Sequence, residues 1–170
     1  MTIPEFTIRA THTKDWPQVK QLRLAMLRDT PIAFAETYAQ AIEVPESEWI
    51  SRAERGMSDT GTALVAIAED GTWLGTMGAY IPEGISVPLL VGVYVRPEFR
   101  GTSFGIADAL LGAVTAWAQQ RSPWFMLHVH EDNARALAYY ERHGFMLTGD
   151  STAYNLDPSK QELEMIKSIG

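Results

Sequence analysis

Residues 91–111, VGVYVRPEFRGTSFGIADALL, constrain the fold of this chain more than any other stretch. An apolar run over residues 91–95 leads to Pro97, Arg100 and Gly101, and a pattern typical of a helix follows. A strand, a tight turn and a helix in that order bring backbone N–H groups and a helix N-terminus to one point, which suits an anion and most often a phosphate. The turn alone is a weak signal, because it has neither the Lys-Ser/Thr ending of a P-loop nor the glycine spacing of a dinucleotide loop.

The periodicity of the remaining chain predicts one α/β (α+β) domain over residues 1–170, in the order β-α-α-β-β-β-α-β-α-β-β. Three successive antiparallel strands followed by a βαβ crossover predict a mixed, mostly antiparallel sheet of six to seven strands, flanked by about four helices. The predicted strands cover residues 6–10, 63–69, 73–81, 87–95, 124–130, a strand starting at 145–147, and 162–169. The predicted helices cover residues 13–28, 47–56, 103–120 and 133–143, and residues 31–45 are helix-like.

The composition indicates a globular protein and argues against a membrane-spanning or nucleic-acid-binding one. With 170 residues, 46% of them hydrophobic, the chain can bury an ample core, and its apolar runs are too short to span a membrane. There is no basic and apolar N-terminal block and no cysteine, so we expect a cytoplasmic protein that binds no membrane. The net charge of −7 and the lack of a dense basic run argue against a nucleic-acid partner. An acidic chain could favour a cationic substrate, but solubility explains the charge equally well.

A second feature lies about thirty residues after the turn, at residues 133–145, NARALAYYERHGF. Together the two stretches resemble the GNAT superfamily of acyl-CoA-dependent N-acetyltransferases, which carries a (Gln/Arg)-x-x-Gly-x-(Gly/Ala) loop after its fourth strand and a later Asn-x-x-Ala-x-x-x-Tyr-Glu-x-x-Gly-Phe stretch. The residues on those positions are Arg100, Gly105, Asn133, Ala136, Tyr140, Glu141, Gly144 and Phe145.

The resemblance implies a GNAT-like sheet and an enzyme that moves the acetyl group of acetyl-CoA (coenzyme A) to a primary amine. It implies that the pantetheine arm runs beside the backbone of Val93, Tyr94 and Val95, near Asn133, whose alternative role is a helix N-cap. It also implies that the pyrophosphate is held near Arg100, and near Arg96, by the amides of Gly101, Thr102, Ser103, Phe104, Gly105 and Ile106.

Ser103 departs from the family pattern, which usually has its first loop glycine there. If this position requires a positive φ, serine would strain the loop by about 1 kcal/mol. If φ is negative, the hydroxyl could hydrogen-bond a phosphate or cap the helix. We expect the second case, because the rest of the motif is intact.

The resemblance makes Tyr140 the expected general acid, since a phenol can donate a proton to the departing sulfur. The alternative is that Tyr140 is a buried aromatic residue packed against the sheet. The adjacent Tyr139 keeps this alternative open, because one ring of the pair must point inward. For the base we expect His128, with ordered water, His130 or Glu83 as alternatives. The two histidines lack a third ligand, so we expect no metal.

For the acceptor we expect the N-terminal helices to supply an aromatic and acidic set that suits a cationic amine: Phe34, Glu36, Tyr38 and Trp49. Core packing is the alternative for the aromatic residues. A small-molecule amine is the expected acceptor. Acetylation of a protein N-terminus or lysine, or a non-catalytic acyl-CoA-binding module, remains open, as does a homodimer.

Overall fold

Seven strands form one mixed sheet in a computed structural model that describes residues 3–170. Their spatial order is β1-β2-β3-β4-β5-β7-β6, and every neighbouring pair is antiparallel except β4 and β5. The strands are β1 (Phe6–Ala10), β2 (Gly61–Ala68), β3 (Trp73–Tyr80), β4 (Leu89–Val95), β5 (Trp124–His130), β6 (Met146–Tyr154) and β7 (Asp157–Ser168). The predicted mixed, mostly antiparallel sheet is confirmed.

Five α-helices cover the sheet in the described part of the chain. They are α1 (Trp16–Asp29), α2 (Tyr38–Ile42), α3 (Glu46–Glu54), α4 (Ile106–Gln119) and α5 (Ala134–Arg142), with 3₁₀ turns at Thr13–Asp15, Arg55–Met57 and Pro97–Phe99. None of the helices among these residues is long and apolar enough to cross a bilayer.

Strand alternation sends side chains to two cores, one on each face of the sheet. On one face, Leu110 of α4 and Tyr140 of α5 pack over Leu127 of β5. On the other face, Met26 of α1 packs with Tyr94 of β4. A third cluster joins α1, α2 and α3. The sheet therefore presents β4 to both helical layers, which makes β4 the central wall of any site between them.

Several predicted boundaries were wrong for identifiable reasons. In the segment predicted as helix-like over residues 31–45, only α2 is helical, and Ala35 has a φ of +52°, which breaks the regular helix. The predicted helix from residue 103 begins at Ile106, because Gly105 adopts a left-handed conformation at φ +69°. The sixth strand starts where it was predicted, and the last strand begins five residues earlier than predicted, at Asp157. Nearly every residue of β6 is exposed. Its sequence therefore lacks the alternation of apolar and polar residues from which the extent of a strand is predicted.

The parallel strands β4 and β5 separate after a short contact. They pair only at Leu89 with Met126 and at Leu90 with Leu127. Two residues later, Gly92 has a φ of +62°, and the register between β3 and β4 shifts at the same level. A bulge of this kind bends a strand away from its neighbour. The remaining lengths of β4 and β5 thus bound an open slot in the middle of the sheet.

Candidate active site

The slot between β4 and β5 is part of one large cavity. Its volume is about 1280 Å³, above the roughly 300–1,000 Å³ of most small-ligand sites. It is bounded by β4, the turn after β4, α4, β5 and α5, and it continues beneath α1, α3 and the loop between α1 and α2. A cavity of this length can hold an extended ligand and a second molecule beside it.

The β4 wall offers unpaired backbone groups to the slot. The Arg96 N–H donates to the Leu74 carbonyl of β3 at 2.8 Å, so backbone alternation turns the N–H and carbonyl of Val93 and Val95 toward β5. The Val95 carbonyl accepts from Arg100 Nε at 2.7 Å. Val93 has no ladder partner on the β5 side among residues 3–170. The neighbouring Tyr94 side chain points away from the slot, into the core under α1.

The turn after β4 is built by two glycines with positive φ. Gly101 lies at +114° and Gly105 at +69°, and a Cβ at either position would meet no atom within 4 Å. The first N–H groups of α4 follow directly, at Ile106, Ala107 and Asp108, and they have no partners within the helix. The turn therefore presents a concave row of amide donors next to open space, as an oxyanion requires.

Ser103 does not strain this turn. Among the described non-glycine residues only Ala35 has a positive φ, so the alternative of a strained serine is wrong. Ser103 is exposed, and its hydroxyl does not cap α4. Phe104 packs edge-on against Phe99 at 6.1 Å and the Ile106 side chain is buried, so these two residues can offer only backbone groups.

Arg100 links the turn to α1. Its guanidinium forms an ion pair with Asp29 and lies 5.4 Å from the ring centre of Tyr94. Burial by itself would raise the pKa of Asp29, but hydrogen bonds from Arg100 and Thr30 outweigh it and lower that pKa. Arg96 donates to the Trp73 carbonyl at 2.6 Å and lies outside the large cavity. Arg100 thus lines the slot and also connects the turn after β4 to α1.

The α5 wall carries two arginines that the sequence analysis missed. Arg135 and Arg142 both line the cavity, two helical turns apart on one face, and neither forms an ion pair with another described residue. Their seven-residue spacing on a predicted helix was the available signal. At the start of α5, Asn133 Oδ1 accepts from the Ala136 N–H at 3.3 Å, so Asn133 is an N-cap. Its amide nitrogen remains available to the cavity.

The two adjacent tyrosines of α5 have different environments. Tyr140 is 7% exposed, belongs to the main core and reaches the cavity, and its hydroxyl has no hydrogen-bond partner in the described part of the chain. Burial raises the pKa of Tyr140, so the phenol stays protonated. Tyr139 instead donates to Asp108 at 3.1 Å. Tyr140 is therefore a free proton donor, and Tyr139 is a structural contact.

The β5 wall carries the two histidines. The side chain of His128 is 34% exposed and lies 3.5 Å from Glu164 of β7. His130 is buried, and its Nδ1 accepts from the Asp132 N–H at 3.0 Å, so in this tautomer the ring proton is on Nε2 and Nδ1 is already occupied. Glu83, the other alternative, is not in the cavity wall.

Glu162 is an acidic residue in the wall that sequence reasoning did not identify. It pairs in register with His130 across β5 and β7, and it has no ion pair among residues 3–170. The strand register that brings it to this position cannot be read from its local sequence.

The comparison with known proteins decides the family. The sequence model of the acetyltransferase (GNAT) family matches residues 19–145.

This chain belongs to the GNAT acetyltransferase family.

Solved structures agree in fold. Nourseothricin acetyltransferase is 26% identical over 66% of this chain and 67% of its own, with a TM-score of 0.59. PaiA N-acetyltransferase from Thermoplasma acidophilum, in complex with coenzyme A, is 19% identical over 96% and 99%, with a TM-score of 0.75. Ribosomal-protein-alanine N-acetyltransferase from Brucella melitensis is 21% identical over 95% and 99%, with a TM-score of 0.76. No protein of curated function matches this chain in sequence. The expected GNAT fold and family are confirmed, and the family supports acyl-CoA-dependent acetyltransferase activity.

In this GNAT protein the expected acceptor residues separate into two groups. Phe34 and Glu36 line the cavity, whereas Tyr38 lies outside it, 4.4 Å from the Arg28 guanidinium. Trp49 is 0% exposed, and its indole N–H donates to the Val44 carbonyl at 3.2 Å. Trp49 therefore lines the cavity with a ring that is packed into the core of α1, α2 and α3, and its contact with an acceptor stays a prediction.

Glu36 is not a free acid for a cationic amine. Arg23 Nε donates to it at 2.8 Å and Arg52 Nη2 at 2.9 Å. Burial alone would raise the pKa of Glu36, but the hydrogen bonds from Arg52 and Arg23 outweigh it and lower that pKa. The prediction that Glu36 attracts a cation is therefore corrected, because two arginines already neutralise the carboxylate.

The described part of this GNAT chain contains no group of three or more His, Asp or Glu side chains arranged to hold a metal ion.

Proposed function

We propose that this protein transfers the acetyl group of acetyl-CoA to a primary amine of a small molecule. The observation that carries the proposal is the position of the Tyr140 hydroxyl, which has no partner among residues 3–170, across a slot from the backbone of Val93, which is likewise unpaired on the β5 side within those residues. At one end of that slot lies a turn suited to an oxyanion. Acetyl-CoA supplies an activated thioester, and the protein supplies the groups that bind and protonate it.

The residues present fit coenzyme A. Amides from Gly101 to Ile106 would hold the pyrophosphate, with positive charge from Arg135 and Arg142 across the slot. The unpaired backbone of Val93 would pair with the amides of the pantetheine arm, as an added strand does at a sheet edge. The free amide nitrogen of Asn133 would hydrogen-bond the same arm.

Tyr140 is proposed as the general acid. A thiolate leaves more easily when it receives a proton, and a free thiol has a pKa near 8.5. Because burial raises the pKa of Tyr140, the phenol remains a donor over the whole neutral range. Its place in the core also holds the ring in one orientation, so that no rotamer freedom is lost during the reaction.

The amine must lose a proton before or during attack, because its free pKa is near 10. His128 is proposed as the base, since its imidazole borders the slot and is partly open to water. Glu162 is the second candidate, supported by its place in the wall and its lack of an ion pair among the described residues. Either group would act directly or through a water.

A small acceptor is supported by a contact between two loops next to Ala35, which lines the cavity. Asn155, in the turn between β6 and β7, donates to the Ala35 carbonyl at 3.4 Å, which joins that turn to the loop after α1. Tyr154 is buried beside it, 4.7 Å from the ring centre of His130. A peptide would need an open groove here. The solved structures include both a ribosomal-protein acetyltransferase and an enzyme named for nourseothricin, so they favour neither class.

The test is release of free thiol from acetyl-CoA with polyamines, amino acids, aminoglycosides and short peptides as acceptors. Turnover with a small amine is the expected result. Turnover with peptides alone would instead indicate a protein acetyltransferase. Tight binding of coenzyme A with no turnover on any amine would indicate a binding module.

A further inference from the structure

We propose that the acceptor carries an oxyanion, a carboxylate or a phosphate, in addition to its amine, and that Arg23, Arg52 and Arg55 hold it. This inference rests on the proposed acetyltransferase function and names its substrate class. It follows from the shape and charge of the cavity beneath α1 and α3.

The floor of this end of the cavity is formed by small residues. Ala63 and Gly78 lie side by side on β2 and β3, and the lining residues around them include Gly61, Thr62 and Thr76, with the larger Trp73 and Tyr80 further along β3. A methyl group added at Gly78 would lie 2.8 Å from the Thr62 carbonyl, so that position excludes any larger residue. Because the floor at Ala63 and Gly78 carries no large side chain, a small molecule has room above these two residues.

The wall above this floor carries more positive than negative charge. Three guanidinium groups line it, from Arg23, Arg52 and Arg55, and the acid among them is Glu36. Both carboxylate oxygens of Glu36 are already bound to arginine. Glu48 also approaches Arg52, at 3.4 Å, but its side chain is 46% exposed and it is not part of the cavity wall.

Donor groups on this wall remain unused. A guanidinium has five N–H donors, and within the described residues Arg23 directs only Nε and Nη2 at protein acceptors, Glu36 and the Phe34 carbonyl. The side chain of Arg55 has neither a hydrogen bond nor an ion pair within residues 3–170. Burial lowers the pKa of Arg23, and the positive charges of Arg52 and Arg55 act in the same direction. A bound anion would offset the repulsion among these positive charges.

The chemistry of these groups selects the ligand. Guanidinium groups bind planar carboxylates and phosphates through paired N–H donors, which adds geometric specificity to the charge. An acceptor held here by its anion would extend its amine toward the slot that Tyr140 borders. The acceptor class is thus an amino acid or an amine that carries a phosphate or phosphonate, and a polyamine is disfavoured.

The experiment compares matched acceptors. KM is measured at saturating acetyl-CoA for amino acids, for their carboxamides, and for aminoalkyl phosphonates of the same chain length. We expect the anionic acceptors to have a KM at least tenfold lower than the carboxamides, the size expected for one charge-assisted hydrogen bond. The carboxylate and phosphonate arms show which oxyanion fits. Equal or better turnover of carboxamides or polyamines would overturn the inference.

The variant Arg55→Glu tests the site, because Arg55 is exposed and its side chain supports no contact among the described residues. It should raise KM for anionic acceptors about tenfold and leave KM for acetyl-CoA unchanged. Lys14→Glu, on an exposed residue outside the cavity, is the control with the same change in charge. An unchanged KM in Arg55→Glu would also overturn the inference.

If no amine is turned over, the proposed function fails, and binding decides the inference separately. The melting temperature of the protein saturated with coenzyme A is then measured with the same compounds. Stabilisation by anionic amines, lost in Arg55→Glu and kept in Lys14→Glu, supports the oxyanion site. Stabilisation by none of them contradicts it.

Discussion

The Nε2 atom of His143 lies 2.9 Å from Oδ1 of Asp108, and this contact ties the end of α5 to the first turn of α4. The hydroxyl of Tyr139 donates to the same oxygen at 3.1 Å, and its ring lies 4.2 Å from the His143 ring. One carboxylate oxygen thus joins two helices that line the slot. The geometry of the slot depends on this junction.

Asp108→Ala should reduce the free energy of unfolding by about 1 kcal/mol, because two hydrogen bonds are lost. The effect is limited because the Asp108 side chain is 52% exposed, where water screens the ion pair. Asp108→Asn retains an acceptor oxygen and should lose less. Urea unfolding measures the free energy of unfolding of both variants. An equal loss in the two variants would show that the shared acceptor oxygen does not account for the stabilisation.

Tyr140→Phe should lower kcat by about 10²-fold or more, the contribution of a positioned general acid. Because the hydroxyl has no partner among the described residues, the free energy of unfolding should change by less than about 0.5 kcal/mol. Tyr139→Phe is the matched control, since it removes a neighbouring hydroxyl that is engaged with Asp108. Steady-state thiol release measures kcat. Unchanged turnover in Tyr140→Phe would remove Tyr140 from the mechanism.

The base can be assigned by comparing His128→Gln with Glu162→Gln. The variant that lacks the base should lose about 10²-fold in kcat, while the other should keep a kcat close to that of the wild type. His130→Gln tests the conclusion from its hydrogen bond to Asp132, and we expect it to retain turnover if it folds. Full activity in both His128→Gln and Glu162→Gln would indicate that ordered water accepts the proton without either side chain.

Gly105→Ala should destabilise the protein by about 1 kcal/mol, because alanine at φ +69° is strained. It should also weaken coenzyme A binding, since the turn must shift to relieve the strain. Gly112→Ala, in the middle of the same helix with open space around it, should stabilise by about 0.5 to 1 kcal/mol. Opposite signs in thermal or urea unfolding are expected, and a loss in both variants would contradict the conformational explanation.

Stability should depend on Glu36 in mildly acidic solution. Its folded pKa is lowered from the ordinary value of 4.5, so its stabilising effect is complete above that pH and is lost as the pH falls through the lowered value. Urea unfolding between about pH 6 and pH 3 should show this decline. Glu36→Gln should reduce stability at neutral pH by about 2 kcal/mol, because Arg23 loses its partner, and should flatten the decline. An unchanged slope in that variant would refute the assignment.

The local features of this protein could be predicted because neighbouring residues determine them. Asn133 caps α5 through an amide three residues ahead, which was one of its two predicted roles. The turn between β4 and α4 was also predicted, although the start of α4 at Ile106 was not. Strand alternation, which the sequence of β5 shows directly, places His128 and the buried Leu127 on opposite faces of the sheet. These are interactions over a few residues, and the family motif that contains them is equally local.

The tertiary structure determined which charged side chains are paired with other residues of the described chain. Glu36 looks like an open acid in sequence, yet it is bound by arginines from two different helices, α1 and α3. Glu162 looks like an ordinary strand residue, yet the strand order brings it beside His130. Electrostatic effects act between residues that are distant in sequence and close in space. The sequence alone therefore determined the fold and the turn after β4, and the packing of the chain determined which charged side chains are already paired beneath α1 and α3.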